Sequence, residues 1–156
     1  MYKTQADEVR DWLRAYVRSE AEIDDLLERL RTLKASVKSI SAQEITDMPK
    51  AASVAKDTLA EYMVRVEDLE RRINEKIAAH QLGKKAIEGV LEKMESPKQK
   101  RIIKFRYLDG LEWSDVIYQC YHDKKDYTEK IKAYSKRVYR DHDRALLEMA
   151  RRWMQK

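Results

Sequence analysis

The fold is decided by a stretch of twenty residues, RIIKFRYLDGLEWSDVIYQC, which runs from Arg101 to Cys120. It holds two short apolar patterns of helical spacing with a single glycine, Gly110, between them. Just upstream, Ser96 and Pro97 predict a helix start, because serine is a favoured N-cap and proline is favoured at the first helical position. Gly110 is expected to end this helix as a C-terminal cap.

The residues after Gly110 predict a second short helix. Ser114 is expected to cap its start, with Asp115 in the first turn, where a negative charge is favourable. A buried stripe and the filling of the bend are expected from five side chains: Leu111, Trp113, Val116, Ile117 and Cys120. The stretch therefore predicts a helix, a glycine turn and a short helix.

Downstream lies the polar stretch HDKKDYTEKIKAY, and then the basic segment SKRVYRDHDRALLEMARRWMQK. The basic segment has an amphipathic pattern and predicts a final helix, capped by Ser135. Two interpretations of residues 123–133 are open. They are either a loop insertion or part of a longer helix that begins at Thr128 and runs through to Trp153.

A helix, a glycine turn, a short helix, a connector and a basic helix form the order of a helix-turn-helix DNA-binding domain. In such a domain the last helix enters the major groove, and its basic side chains reach base edges and phosphates. Asp141 and Asp143 interrupt the positive face. The candidate DNA-binding residues are Lys132, Ser135, Lys136, Arg137, Arg140 and Arg144.

The first half of the chain has apolar residues at heptad-like spacing, which predicts two long helices. The first series is Trp12, Tyr16, Ile23, Leu26, Leu30, Leu33, Val37 and Ile40. The second series is Leu59, Tyr62, Val66, Leu69, Ile73, Ile77, His80, Ile87, Leu91 and Met94. Between them is a polar break with Pro49 as its strong helix breaker. Gly83 and Gly89 weaken the second helix, which is expected to bend or end near them.

These patterns predict an all-α fold with two domains. Residues 1–95 are expected to form a long antiparallel helical hairpin, coiled-coil-like, for oligomerisation or interaction. Residues 96–156 are expected to form the helix-turn-helix domain. Two helices alone bury little surface, so the seam of the hairpin is expected either to self-associate or to dock on the second half, and a homodimer is favoured.

Charge divides the chain in the same way. Residues 1–80 hold 14 Lys and Arg against 16 Asp and Glu, and residues 81–156 hold 19 against 12. A basic half beside a near-neutral half indicates a module for a polyanion joined to a module for protein contacts.

Composition excludes other classes. The chain contains one cysteine, Cys120, which cannot form an internal disulfide and suits a reducing compartment. No apolar run approaches the length of a membrane span and no signal peptide pattern is present, so a cytoplasmic protein is expected. Motifs of nucleotide-binding, protease or hydrolase sites are missing, and the three histidines lack zinc spacing. Neither an enzyme nor a cofactor is expected. His142 is interpreted as a packing or hydrogen-bonding residue, and Tyr107 as core or bend packing.

The segment ESPKQKRIIKFRYLDGLEWSDVI, at 95–117, resembles the fourth conserved region of sigma-70-type factors. More closely, the chain resembles small phage transcriptional regulators of the RinA and ArpU kind. The matching features of this sequence are Arg106-Tyr107, Gly110, Trp113, Val138-Tyr139-Arg140, His142, Ala145 and Leu146, together with a "MPK" loop at Met48 to Lys50.

The resemblance implies a sequence-specific DNA-binding regulator, an activator of phage or prophage late genes in a bacterial host, with recognition residues around 135–144. Two alternatives are open. One is a protein that docks on host RNA polymerase or on a coiled-coil partner. The other is a small packaging-terminase-like subunit, although such subunits usually carry the helix-turn-helix at the start of the chain and form rings.

Overall fold

A computed structural model describes residues 3–43 and 49–154, and every regular element in these ranges is helical. The helices are α1 (Gln5–Gln43), α2 (Pro49–Glu92), α3 (Pro97–Ile103), α4 (Trp113–Tyr121) and α5 (Ile131–Met154). A π-helical turn, Lys104–Leu108, continues α3 towards Gly110. The predicted all-α fold with two long leading helices is confirmed.

The chain folds as two compact units. One, here called the composite unit, joins Met1–Arg18 to Leu82–Lys156, and the other, the hairpin unit, is Ser19–Gln81. These divisions differ from the predicted boundary between residues 95 and 96. The assignment of an interaction role to 1–95 and a DNA-binding role to 96–156 stays a prediction.

In the hairpin unit, α1 and α2 run antiparallel and bury the predicted seam between them. Leu26, Leu69 and Ile73 form its core. Lys76 donates to Glu22 at 3.0 Å, so polar contacts flank the seam as well. Apolar residues at heptad spacing thus find their partners within one chain, because antiparallel helices present complementary stripes to each other.

The composite unit has a larger core that draws on both long helices and on α5. Its fully buried members come from segments far apart in the sequence: Val9, Leu13, Ile87, Leu91, Ile103, Ala145, Leu146 and Met149. One predicted alternative is that the long helices dock on the second half of the chain. This arrangement is found for residues 5–18 and 82–92. Burial of each of the valine, leucine, isoleucine and methionine side chains among the fully buried members contributes about 1.5–3 kcal/mol.

A second core in the composite unit lies beneath α4. Val116 and Ile117 on α4 pack with Ile102 of α3 and with Tyr134 and Val138 of α5. The α4 stripe predicted from the sequence is thus the surface that fixes the start of α5. Because α3 and α4 both pack on α5, one face of α5 is covered and the opposite face is left outward.

The predicted helix start and glycine cap of the opening stretch are confirmed. The Ser96 Oγ atom accepts a hydrogen bond from the Gln99 amide at 3.3 Å, and Pro97 is the first residue of α3. Gly110 has a φ of 69°, a left-handed conformation that glycine adopts without strain. The predicted cap at Ser114 is wrong, since α4 begins at Trp113 with Glu112 as its N-cap residue.

The second long helix ends close to the second of its two glycines, as the sequence predicts. It continues past both Gly83 and Gly89 and ends at Glu92. A Cβ atom at position 83 would lie 3.5 Å from the Tyr16 ring, an ordinary van der Waals contact, so packing does not require glycine there. Met48, part of the "MPK" loop on which the family resemblance partly rests, lies outside the described residues.

Candidate nucleic-acid interface

The outward face of α5 is set by what the helix buries. Tyr134, Val138, Ala145, Leu146 and Met149 share one side of the helix and are at most 6% exposed. Their spacing follows the helical repeat, so the residues between them must project on the other side. The candidate DNA-binding residues fall largely on that side.

Four basic side chains, spaced four residues apart, form a row along the outward face. They are Lys132, Lys136, Arg140 and Arg144, here called the basic ladder, and all four are exposed. With a rise of 1.5 Å per residue, the ladder extends for about 18 Å along the helix. A helix with its side chains is about 10–12 Å wide, which matches the width of the major groove of B-DNA.

The positive charge of the ladder is not neutralised by the chain itself. The two acidic residues that interrupt the basic segment are engaged elsewhere: Asp141 pairs with Lys98 at 3.2 Å and Asp143 with Arg10 at 3.6 Å. Among the described residues, no carboxylate forms an ion pair with a ladder residue. An acidic interruption in the sequence is therefore compatible with a basic surface in the fold.

Arg137 and Ser135 differ from the ladder. The Arg137 guanidinium lies over the Tyr134 ring, with its carbon 5.5 Å from the ring centroid, at the flank of the helix. Ser135 is half-buried, and its hydroxyl donates to the Ile131 carbonyl at 2.7 Å. Its predicted role as the N-cap of α5 is wrong, because the helix begins four residues earlier.

Residues 123–133 are divided between a connector and the first residues of α5, so the predicted alternative of a helix that begins at Thr128 is wrong. Residues 122–130 form a series of turns, and α5 begins at Ile131. The Tyr134 ring stacks on Tyr121 with centroids 4.5 Å apart, and its hydroxyl donates to Asp126. These contacts join the first turn of α5 to the connector and to α4, so Lys132 and Lys136 are both helical.

Below the ladder, a buried polar pair joins α5 to the π-helical turn. The Tyr107 hydroxyl lies 2.8 Å from His142 Nε2. Burial lowers the pKa of His142 to about 4, so its imidazole is neutral at pH 7. The predicted packing or hydrogen-bonding role of His142 is confirmed.

Trp113 connects this buried pair to the surface. Its ring lies 4.7 Å from His142 and 5.2 Å from Tyr139, measured between centroids. The Arg106 guanidinium lies over the same ring at 4.9 Å. The bend that the sequence predicts at Trp113 is thus a junction between the π-helical turn and α5.

Sequence reasoning missed one feature, a groove of about 460 Å³ against this junction. Its basic side chains are Arg14 and Arg18 from α1 and Arg106 from the π-helical turn. We call it the arginine groove. Local patterns could not indicate it, because its walls come from segments about ninety residues apart.

Other kinds of site have little support in the described residues. Cys120 is half-buried, and burial raises the pKa of its thiol, which disfavours a nucleophile. In residues 3–43 and 49–154, no three His, Cys, Asp or Glu side chains are placed to hold a metal ion together. None of the helices in these ranges is long and apolar enough to cross a bilayer.

The fold and the basic ladder define a helical protein with an outward cationic helix. No family model, curated protein or solved structure matches the chain. The argument for a function therefore depends on the geometry of α5 and its surroundings.

Proposed function

We propose that this protein is a sequence-specific, double-stranded DNA-binding transcription regulator that places α5 in the major groove. The observation that carries the proposal is the basic ladder, which is exposed and unneutralised on the face of α5 opposite the core. Phosphate neutralisation by lysine and arginine supplies most of the affinity of such proteins, and arginine reads guanine edges in the groove.

The position of each ladder residue suggests its role. Lys136 and Arg140 are central, so they are the proposed contacts to base edges. Lys132 and Arg144 lie one turn further out on either side, where the phosphate backbones of the groove would pass. Arg137, at the flank, is a further phosphate contact, while half-buried Ser135 contributes at most a hydrogen bond to the backbone.

The biological setting follows from the resemblance to regulators of the RinA and ArpU kind and to the fourth region of sigma-70-type factors. We propose an activator of phage or prophage late genes in the cytoplasm of a bacterial host. The basic excess of residues 81–156 supports binding to a polyanion.

We also propose that the regulator acts as a homodimer, the usual arrangement for reading two half-sites. Leu26, Leu69 and Ile73 of the hairpin seam are already buried within one chain. A dimer contact in the hairpin unit would instead involve its exposed apolar side chains, such as Leu27 and Met63, which are 43% and 51% exposed.

Selection of bound DNA from a random library tests the proposal. The wild type should enrich one motif, and a variant with Lys136→Ala, Arg137→Ala and Arg140→Ala should not. A matched control, Arg29→Ala with Lys38→Ala and Arg72→Ala, removes the same charge from exposed positions of the hairpin unit. Enrichment of the same motif by all three proteins would contradict the proposal.

The alternatives remain predictions with their own measurements. Recovery of host RNA polymerase from a nuclease-treated lysate would favour the polymerase-docking protein. A ring-sized mass in solution would favour the packaging subunit, whereas a dimer mass would not.

A further inference from the structure

The arginine groove lies beside the surface that we propose for DNA, and the proposed contacts of α5 with DNA do not involve it. It is bounded by the beginning of α1, the π-helical turn and the middle of α5. The side chains that matter to its chemistry are Arg14, Arg18, Arg106, Tyr107, Trp113 and His142. All of them belong to the composite unit.

The groove carries excess positive charge. Its lining includes one carboxylate, Asp11, which pairs with Lys3 at 3.0 Å. Asp143, the acidic neighbour of His142, pairs with Arg10 at 3.6 Å. Among the described carboxylates, none forms an ion pair with Arg14, Arg18 or Arg106. Three guanidinium groups that form no ion pair with a described carboxylate therefore line one groove.

One of these guanidinium groups is held in place before any ligand arrives. The Arg106 Nη1 atom donates to the Leu111 carbonyl at 2.9 Å, and the group lies over the Trp113 ring. A guanidinium has five N–H donors, so this hydrogen bond leaves others free for a ligand. Preorganised arginine with planar donors is well suited to bind phosphate oxygens, often in a bidentate manner.

The floor of the groove adds no negative charge. Tyr107 and His142 are bonded to each other there and are both neutral at pH 7. Burial is the main cause of the low pKa of His142, and the positive charges of Arg10, Arg106 and Arg14 lower it further. The effect of these arginines on the pKa of His142 agrees with their position around the Tyr107–His142 pair.

We infer that the arginine groove binds a phosphate group, and that in the DNA complex it holds a phosphodiester of the backbone beside the major groove that α5 occupies. A contact with the neighbour of a ladder residue supports the second part. Trp113, in the groove, packs on Tyr139, which is 44% exposed and precedes Arg140 of the ladder. This second part rests on the proposed function, whereas the first part does not.

The DNA arm of the test measures how affinity depends on salt. In the full-length protein, Arg14→Ala with Arg18→Ala should lower the slope of log K against log salt by about 1 for one lost phosphate contact. The loss should be equal for selected and random duplexes. Arg14→Lys with Arg18→Lys should keep the slope, because it keeps the charge.

The control for this arm is Arg29→Ala with Arg72→Ala, two arginines that line a groove of the hairpin unit. It removes the same charge from the other unit. Circular dichroism should show that all variants fold, since Arg14 and Arg18 are exposed. A slope that falls no further for the groove variant than for this control overturns the assignment of a DNA phosphate.

The second arm uses the protein without DNA and pyrophosphate as the probe. At equal ionic strength, a rise in Tm with pyrophosphate for the wild type, absent from the Arg14→Ala, Arg18→Ala variant, shows that the groove also takes a free phosphate group. This result stands even where the wild type binds no DNA and the proposed function fails. No change of slope and no rise in Tm would overturn the inference entirely.

Discussion

The hydrogen bond between Tyr107 and His142 is a polar contact inside an otherwise apolar core. Each of these two side chains is 5% exposed. The Nε2 atom of the neutral imidazole shares a hydrogen bond with the tyrosine hydroxyl, and its Nδ1 atom lies 3.8 Å from Asp143 Oδ1. A buried pair of this kind fixes the rotation of α5 against the π-helical turn, because other rotations would leave both groups unsatisfied.

Replacing Tyr107 by Phe should destabilise the composite unit by about 1–3 kcal/mol, because the buried Nε2 atom of His142 loses its hydrogen-bond partner. Urea denaturation followed by tryptophan fluorescence measures the change. The control is Tyr139→Phe, whose hydroxyl is at the surface and whose loss should change the free energy of unfolding by less than about 0.5 kcal/mol. Equal effects of the two substitutions would contradict this account.

His142 should make the stability of the protein fall in acid. Its pKa is about 4 in the folded state and 6.5 when exposed, so the unfolded state binds more protons between these values. The contribution is fully present above pH 6.5 and is lost as the pH falls to about 4, with a total on the order of 3 kcal/mol.

The free energy of unfolding, measured by urea titration at several pH values from 7 to 4, checks this prediction. His142→Gln should flatten the curve in that interval, although its stability at pH 7 is also lower. His122→Gln is the control, because His122 is exposed. An unchanged slope in the His142 variant would show that other groups cause the acid sensitivity.

Among the elements, α5 depends on its neighbours for both its position and its length. Its start is set by the stacking of Tyr134 on Tyr121 and by the bond from Tyr134 to Asp126. Its ladder is exposed because α3 and α4 cover the other face. Lys132 therefore lies in the first turn of the helix and Arg140 near its middle.

The two positions should respond differently to substitution if α5 enters the groove as proposed. Arg140→Ala should cost about 1–3 kcal/mol for the selected site and relax the preference at one base pair. Lys132→Ala should weaken all duplexes about equally and lower the salt slope by about 1. Fluorescence anisotropy with the selected duplex and single-base variants measures both. A uniform loss for Arg140→Ala would make it a phosphate contact instead.

The elements also show which features local sequence can indicate. Ser96, Pro97 and Gly110 act through their own backbone chemistry, so their roles were predictable. Ser114 and Ser135 look like caps but lie inside helices. Helix ends follow packing as well as capping residues, and here Trp113 and Tyr134, which pack on neighbouring rings, fall within the first turns of α4 and α5.

On the scale of the whole molecule, the composite unit has its own core and the hairpin unit another. We therefore expect the composite unit to fold when residues 19–81 are replaced by a short glycine-containing turn from Arg18 to Leu82. Because Tyr16 and Gly83 lie close together, a short turn can join Arg18 to Leu82. The three tryptophans lie in the composite unit, so fluorescence reports on its folding.

This deletion variant should unfold cooperatively and select the half-site sequence that the wild type selects. A loss of cooperative unfolding would show that the composite unit depends on the hairpin unit. Its mass in solution also tests the proposed dimer, which should fall to a monomer if the hairpin unit holds two copies together.

Periodicity predicted the apolar faces of the two long helices but not their partners. A heptad pattern shows which side of α1 is apolar, and the same side can meet a second copy, another helix or a different domain. The pairing of Val9 and Leu13 with Leu146 and Met149 requires contacts across more than a hundred residues. The basic ladder could be predicted because its exposed residues all lie on one helix. The arginine groove could not, because its residues come from segments that meet only in the fold.

The core that joins residues near position 10 to residues near position 146 also affects how the chain can fold while it is being synthesised. Translation proceeds at about 5–20 residues per second, so on the order of ten seconds separate the synthesis of Val9 from that of Met149. During this interval the earlier apolar faces lack their final partner and are open to chaperones or aggregation. Nascent chains are consequently unable to display a correctly oriented cationic helix until Met149 has been synthesised.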